Sequence, residues 1–195
     1  MSEKHQLITD QVRSYIGTES KPLTAWAKVT STEIRRFMQS IPDEDPIYWD
    51  EEYARASKFG GIVAPPTLPQ VIVGMRPPGS PDMLLDMPDD WGGDNPTADG
   101  DPMEVGWYPG LGEMIDQFPK NMVFFHGGDD LRIYQLAALG DQVTCTSKVV
   151  DMYEKPGRSG QLGFVVIDFT YVNQKGEVLC VNRHTEVLRE SAEEA

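Results

Sequence analysis

The chain has 195 residues, enough for one domain with a sizeable core, and its hydrophobic (39%) and charged (25%) fractions are ordinary for a globular protein. A formal net charge of −14 argues against nucleic acid or an anionic membrane as partner and fits a solvated acidic surface. No apolar run approaches the roughly 18 residues needed to span a bilayer, and the opening MSEKHQLITDQVRSY lacks the apolar core of a secretory signal.

In chain order, residues 1–19 read as an N-terminal extension. Residues 26–29, WAKV, alternate like a short strand. TSTE then supplies a capping box, with Thr30 as N-cap and Glu33 three residues on. Ile34, Phe37, Met38 and Ile41 follow on one face of an amphipathic helix that Pro42 stops. Asp50 is placed to cap a second short helix, EEYARAS, which ends before Gly60-Gly61. Thr67 and Gln70 repeat the capping-box spacing. Leu68, Val71, Ile72 and Met75 form the apolar face of a third helix, ended by Pro77-Pro78.

Residues 76–119 are dense in Pro, Gly and Asp, with Trp91, Trp107 and Tyr108 interspersed. Disordered segments are poor in aromatics, so this insertion is expected to be a packed excursion rather than a free linker. Its aromatics are suited either to lining an acyl channel or to ordinary packing.

The last third is strand-rich. NMVFFHGGDDLRIYQL leads through Gly140-Asp141 into a strand with Val143, Cys145, Ser147 and Val149 on one face. QLGFVVIDFTYV aligns Val165, Ile167, Phe169 and Tyr171. After the NQKG turn, EVLCVNRHTEVL aligns Leu179, Val181, Thr185 and Val187. Helices first and an antiparallel meander afterwards define an α+β domain over residues 20–190, followed by an acidic tail at 191–195. Cys145 and Cys180 fit neither a disulfide framework nor a clustered metal site, and read as core thiols in a reducing cytoplasm. His5, His126 and His184 are far apart in the sequence and show no metal-ligand spacing, so no metal is expected.

The order strand, helix, Asp43-x-Asp45-Pro46-Ile47, EEYARASKFGG, capped helix, then HGGDDLRIYQLAALGD resembles the MaoC-like acyl dehydratases, and in particular their N-terminal-type hot-dog domains. The resemblance implies a hot-dog fold, an antiparallel sheet wrapped around a central helix, paired into a double hot dog. It implies reversible addition of water to trans-2-enoyl thioesters of coenzyme A or acyl carrier protein, with no redox cofactor and no metal. Such chemistry needs a base to activate water, an acid to protonate the α-carbon, and donors for the developing enolate oxygen.

The family signature Gly-Asp-x-Asn-Pro-(Leu/Ile)-His aligns Asp43 with the catalytic Asp, Asp45 with the Asn and Tyr48 with the His. The family's Ala-His-Gly, whose Gly gives the oxyanion N–H, falls on Ala64-Pro65-Pro66. The resemblance thus marks Asp43, Tyr48 and His126 as the catalytic candidates, and Gly61, Ala64, Pro66 and Thr67 as substrate contacts. A phenol of ordinary pKa about 10 is a poor base near neutrality. Proline has no N–H to donate, and losing one oxyanion donor costs roughly a hundredfold to a thousandfold in rate. For the residues themselves, Asp43 is suited either to chemistry or to stabilising the helix exit, and His126 to catalysis or to structure.

The expectation is therefore a degenerate-site subunit of an enoyl-CoA hydratase. It would pair with a catalytic MaoC-like partner and act on bulky acyl-CoA thioesters such as sterol side chains. The alternatives are a self-sufficient homodimer using Asp43, and a non-catalytic acyl-thioester-binding or scaffolding protein.

Overall fold

Four long strands carry the fold, and they follow the helices in the chain as the sequence pattern requires. The computed structural model describes residues 6–41, 43–75, 79, 114, 117–118, 122–158 and 160–190. Apart from Gly79, Met114, Gln117 and Phe118, the Pro-rich excursion lies outside the described residues, and so does the acidic tail. Met114 and Phe118 are buried in the main core, with Phe118 edge-on to Phe124.

The elements are α1 (Asp10–Arg13), β1 (Leu23–Thr24), α2 (Ser31–Ser40), α3 (Glu51–Ala56), α4 (Leu68–Gly74), β2 (Met122–Ile133), β3 (Thr144–Gly157), β4 (Gly160–Val172) and β5 (Val178–Glu190). All strand pairings are antiparallel, in the order β1-β3-β4-β5-β2, which leaves β2 at one edge. The β3–β4 hairpin closes at the Gly157–Gly160 pair. The β4–β5 turn is held by Asn173, whose Oδ1 accepts the N–H groups of Lys175 and Glu177, with Gly176 at φ 77°.

Thr30 caps α2, its hydroxyl accepting the Glu33 N–H at 3.2 Å, and Asp50 caps α3 through the N–H groups of Glu52 and Tyr53. Thr67 precedes α4, but its side chain makes no cap bond. The expected strand at 26–29 does not form. The two-residue strand lies earlier, at Leu23–Thr24. Beyond it the chain makes only scattered bonds to residues 140–143, among them those from the Ala25 N–H to the Val143 carbonyl, from the Val29 N–H to the Asp141 carbonyl, and from the Gln142 side chain to the carbonyls of Ala25 and Ala27.

The core forms where α4 meets the sheet. Leu68 and Ile72 share one apolar cluster with Cys145 and Val149 of β3 and Val165, Ile167, Phe169 and Tyr171 of β4. The inward faces expected for β3 and β4 are therefore the observed ones. On β5 Leu179 is buried as expected, but from Val181 onward the alternation is the reverse of that expected. Cys180, Asn182, His184 and Leu188 are buried, while Val181, Thr185 and Val187 are only half-buried. Apolar periodicity chose the wrong face there because the inward face carries polar side chains.

Candidate functional site

Among the described residues, two groups of polar side chains bear on the candidate site: those at the approach to α4, and those on the inner face of β2 and β5.

At the approach to α4, Asp43, Asp45 and Asp50 each serve the backbone. Asp43 is exposed, and its Oδ1 accepts the Asp45 N–H at 3.0 Å. Asp45 caps the 3-10 turn Pro46–Tyr48 by accepting the Ile47 N–H at 3.0 Å. Tyr48 is half-buried and packs against the main core and the small Ile47–Ala54–Val63 cluster. Burial pushes its phenol above the ordinary range, and the nearby carboxylates of Asp43 and Asp45 push it further. Tyr48 is thus a proton-bearing hydroxyl near neutral pH and not a base.

The segment entering α4 is pinned to the loop before β3. Val63 bridges Ala138, and the Ala64 N–H donates to the Ala137 carbonyl at 2.7 Å. Gly61 is half-buried, with open space where a Cβ would stand. Pro66 is half-buried and Thr67 exposed at the mouth of the helix. Asp43, Tyr48, Gly61, Ala64, Pro66 and Thr67 therefore all belong to the chain segment that leads into α4.

His126 belongs to the second place. Its Nε2 lies 3.5 Å from Asp129 Oδ2, and its ring centroid is 5.1 Å from that of His184. Asp129 Oδ1 meets His184 Nδ1 at 2.9 Å and accepts from Asn182 Nδ2 at 2.9 Å. The other ring nitrogen of His184, Nε2, meets Glu186 Oε1 at 2.8 Å. Burial alone would lower the His184 pKa, but the bonds to Glu186 and Asp129 outweigh it and raise the value. Burial likewise opposes ionisation of Asp129, and the bonds from His184 and Asn182 overcome it, so that carboxyl is held below its usual range.

A β-bulge builds this cluster. His126 and Asp129 are three residues apart, which in a regular strand would put them on opposite faces. The extra residue, Gly127, shifts the register so that His126 pairs with Glu186 and Asp129 with His184. Only glycine fits at that point, because a Cβ on Gly127 would stand 2.8 Å from both the Thr185 carbonyl oxygen and Val187 Cγ2. Asp129, Asn182, His184 and Glu186 were not among the candidates drawn from the sequence. The signal available was the run of polar side chains at alternate positions of β5, bounded by Cys180 and Leu188.

A sheet of this order packed on a central helix, with its polar groups at the helix mouth and on the inner sheet face, defines the hot-dog dehydratase class. The chain belongs to the family described as FAS1-like, dehydratase domain region, whose model matches residues 14–96 and 109–182. Within the Pro-rich excursion the match leaves out residues 97–108, and at the ends it leaves out residues 1–13 and 183–195.

A UPF0336 protein from Saccharopolyspora erythraea is 24% identical over 182 residues, covering 93% of this chain and 94% of that protein. The 3-oxo-4,17-pregnadiene-20-carboxyl-CoA hydratase alpha subunit of Mycobacterium tuberculosis is 40% identical over 67 residues, 32% of this chain and 22% of that protein. Among solved structures, the ChsH1-ChsH2 complex from Mycobacterium tuberculosis matches with a TM-score of 0.67 at 22% identity, covering 94% of this chain and 89% of that one. The MaoC-like dehydratase from Rhodospirillum rubrum gives 0.54 at 19% identity, covering 91% and 94%. At such identities the structural likeness establishes the hot-dog fold. Among the described residues no helix is long and apolar enough to cross a membrane.

Proposed function

We propose that this chain is the degenerate-site subunit of a heteromeric enoyl-CoA hydratase. The reaction adds water across the α,β double bond of a trans-2-enoyl thioester, oxygen to the β-carbon and a proton to the α-carbon, and runs in either direction. A MaoC-like partner subunit supplies the acid–base pair and the oxyanion donor. This chain supplies part of the wall of the acyl site and the other half of a double hot dog. Coenzyme A or an acyl carrier protein is the handle on the substrate, and no redox cofactor is needed.

What supports the reading is the mouth of α4. The resemblance to the family signature aligns Pro66 with the residue that gives the oxyanion N–H, and proline cannot donate one. Earlier in the same segment, the Asp43 carboxylate is bonded to the Asp45 backbone, and Tyr48 holds its proton. The substrate class rests on the 67-residue likeness to a hydratase subunit whose name specifies a steroid carboxyl-CoA thioester. Bulky acyl groups, sterol side chains among them, suit a site in which one subunit has given up chemistry and can serve as wall.

The test is to purify the chain alone and together with a hot-dog partner bearing an intact Asp-x-Asn-Pro-x-His. Each preparation is assayed by loss of enoyl absorbance with crotonyl-CoA and with a steroid side-chain enoyl-CoA. The chain alone is expected to be inert, and the pair active on the bulky substrate. Turnover by the chain alone, on the order of 1 per second or faster, would support a self-sufficient hydratase. Inertness in both settings, with thioester binding retained, would leave a binding protein.

A further inference from the structure

We propose that His126, Asp129 and His184 form a binding site for a late first-row divalent cation, Zn²⁺ in the first instance, on the inner face of β2 and β5. The inference is independent of the hydration chemistry, which requires no metal.

One ligand atom from each of the three residues lies within 4.8 Å of the other two. Two imidazoles and one carboxylate are a ligand set suited to zinc and its neighbours, and poorly suited to magnesium or calcium. With bonds of about 2.0–2.2 Å, a tetrahedral zinc places its ligand atoms roughly 3.3–3.5 Å apart. The His126–Asp129 edge is already 3.5 Å. That edge runs to Asp129 Oδ2, whereas His184 Nδ1 meets the other oxygen, Oδ1, at 2.9 Å, so a metal bound through one carboxylate oxygen requires a small rotation of the Asp129 carboxylate. His126 is 60% exposed, so its ring is free to swing and close the third edge.

The surroundings are those of a supported ligand set. His184 presents Nδ1 to Asp129, while Nε2 is bonded to Glu186 Oε1 at 2.8 Å. That is the carboxylate–histidine relay that fixes the tautomer and orientation of metal-binding imidazoles. Asn182 holds Asp129 from the other side. Its own Oδ1 is buried with no hydrogen-bond partner, an acceptor beside the same carboxylate for a donor such as a metal-bound water. The Gly127 bulge brings His126 onto this face, and the close approach of Thr185 and Val187 admits no other residue there. Three protein ligands leave the fourth position open. Binding exchanges a proton on His184 Nδ1 for the metal, so each ion taken up releases that proton to solvent.

The test uses the full chain, with any affinity tag removed, stripped with chelator and titrated with ZnCl₂ by calorimetry. Substitution with Co²⁺ gives a visible absorption band that reports coordination geometry. One Zn²⁺ per chain and a tetrahedral-type Co²⁺ spectrum are the expected results. His126→Ala, at an exposed position, should abolish tight binding without lowering Tm. Glu186→Gln should weaken it by about 10–100-fold, and His5→Ala should leave it unchanged. Absence of saturable Zn²⁺ uptake by the unmodified chain would overturn the proposal. So would uptake that survives both His126→Ala and Asp129→Asn.

Discussion

The Asp129 carboxylate reaches from β2 to the Nδ1 of His184 on β5, 2.9 Å away, and joins the edge strand to the sheet by a side-chain bond as well as by the ladder. His184 is 8% exposed and Glu186 holds its other nitrogen, so removing either partner leaves a buried polar group short of a bond. Asp129 is 41% exposed, and solvent screens its share. In chelator-treated protein, Asp129→Ala should therefore cost on the order of 1 kcal/mol in urea unfolding. A double-mutant cycle with His184→Ala should return a coupling above about 0.5 kcal/mol. Additive effects would mean that the contact contributes no stability.

Gly127 is the most exacting position in the bulge. A Cβ there meets the Thr185 carbonyl oxygen, a backbone atom that yields only if the strands separate. Gly127→Ala should destabilise the chain by about 1–3 kcal/mol, the usual cost of overpacking. By shifting β2 it should also move the His126 imidazole signals in a two-dimensional NMR spectrum. Gly61→Ala, where a Cβ meets open space, is the control and should be close to neutral. Equal stability of the two variants would show that the bulge relaxes freely.

The two thiols give the chain an alkaline limit. Burial pushes Cys145 up to about 12 and Cys180 up to about 11, both above the ordinary thiol value. A pKa raised on folding means that the folded chain keeps a proton the unfolded chain has lost. That contribution is complete below the ordinary thiol pKa and disappears as pH rises through the folded values. Stability measured by denaturant should fall between about pH 9 and 12. Cys180→Ala should flatten part of that slope. Near neutral pH neither thiol should react with a disulfide reagent until the chain unfolds. Rapid labelling of the native protein would contradict the buried placement of both residues.

Most of the scaffold was legible in the sequence because caps and alternating apolar positions are local signals. Thr30 with Glu33, Asp50 ahead of EEY, and the Val165-to-Tyr171 face all read correctly. Two features were not legible. The 26–29 segment has strand-like alternation, but its partners are the Gln142 side chain and the backbone of Gly140 and Asp141, more than a hundred residues away in the chain and not a continuous strand. The inward face of β5 defeats a hydrophobic pattern because Asn182, His184 and Glu186 stand where apolar residues are expected. Their pairing with β2 depends on a one-residue bulge, and only the folded sheet reveals that register. The Asp43-to-Thr67 positions could be named from the family pattern. The Asp50 cap was legible, but the sequence left open whether Asp43 holds the backbone, and it did not show that Asp45 caps the turn after it.

The sharpest test of the proposed function is an unequal response to equivalent substitutions in the two subunits. Asp43 Oδ1 accepts one backbone N–H, and asparagine can make the same bond through its side-chain carbonyl. Asp43→Asn therefore removes the charge while keeping the turn, and any loss of activity is chemical rather than structural. If Pro66 leaves this site without an oxyanion donor, little of the reaction passes through it. Asp43→Asn in the assembled enzyme should then change kcat/KM less than about twofold, whereas the corresponding Asp→Asn in the partner should remove activity by orders of magnitude. Asp43→Ala, which also breaks the turn, separates the structural role: it should lower Tm without a specific effect on kcat. Omitting this chain should abolish turnover of a steroid side-chain enoyl-CoA more completely than turnover of crotonyl-CoA, because the long acyl group loses half of its channel wall. The matched variants are assayed side by side on both substrates. If Asp43→Asn proves as damaging as the partner's substitution, both sites carry chemistry, and the reading of Pro66 as the decisive lesion is wrong.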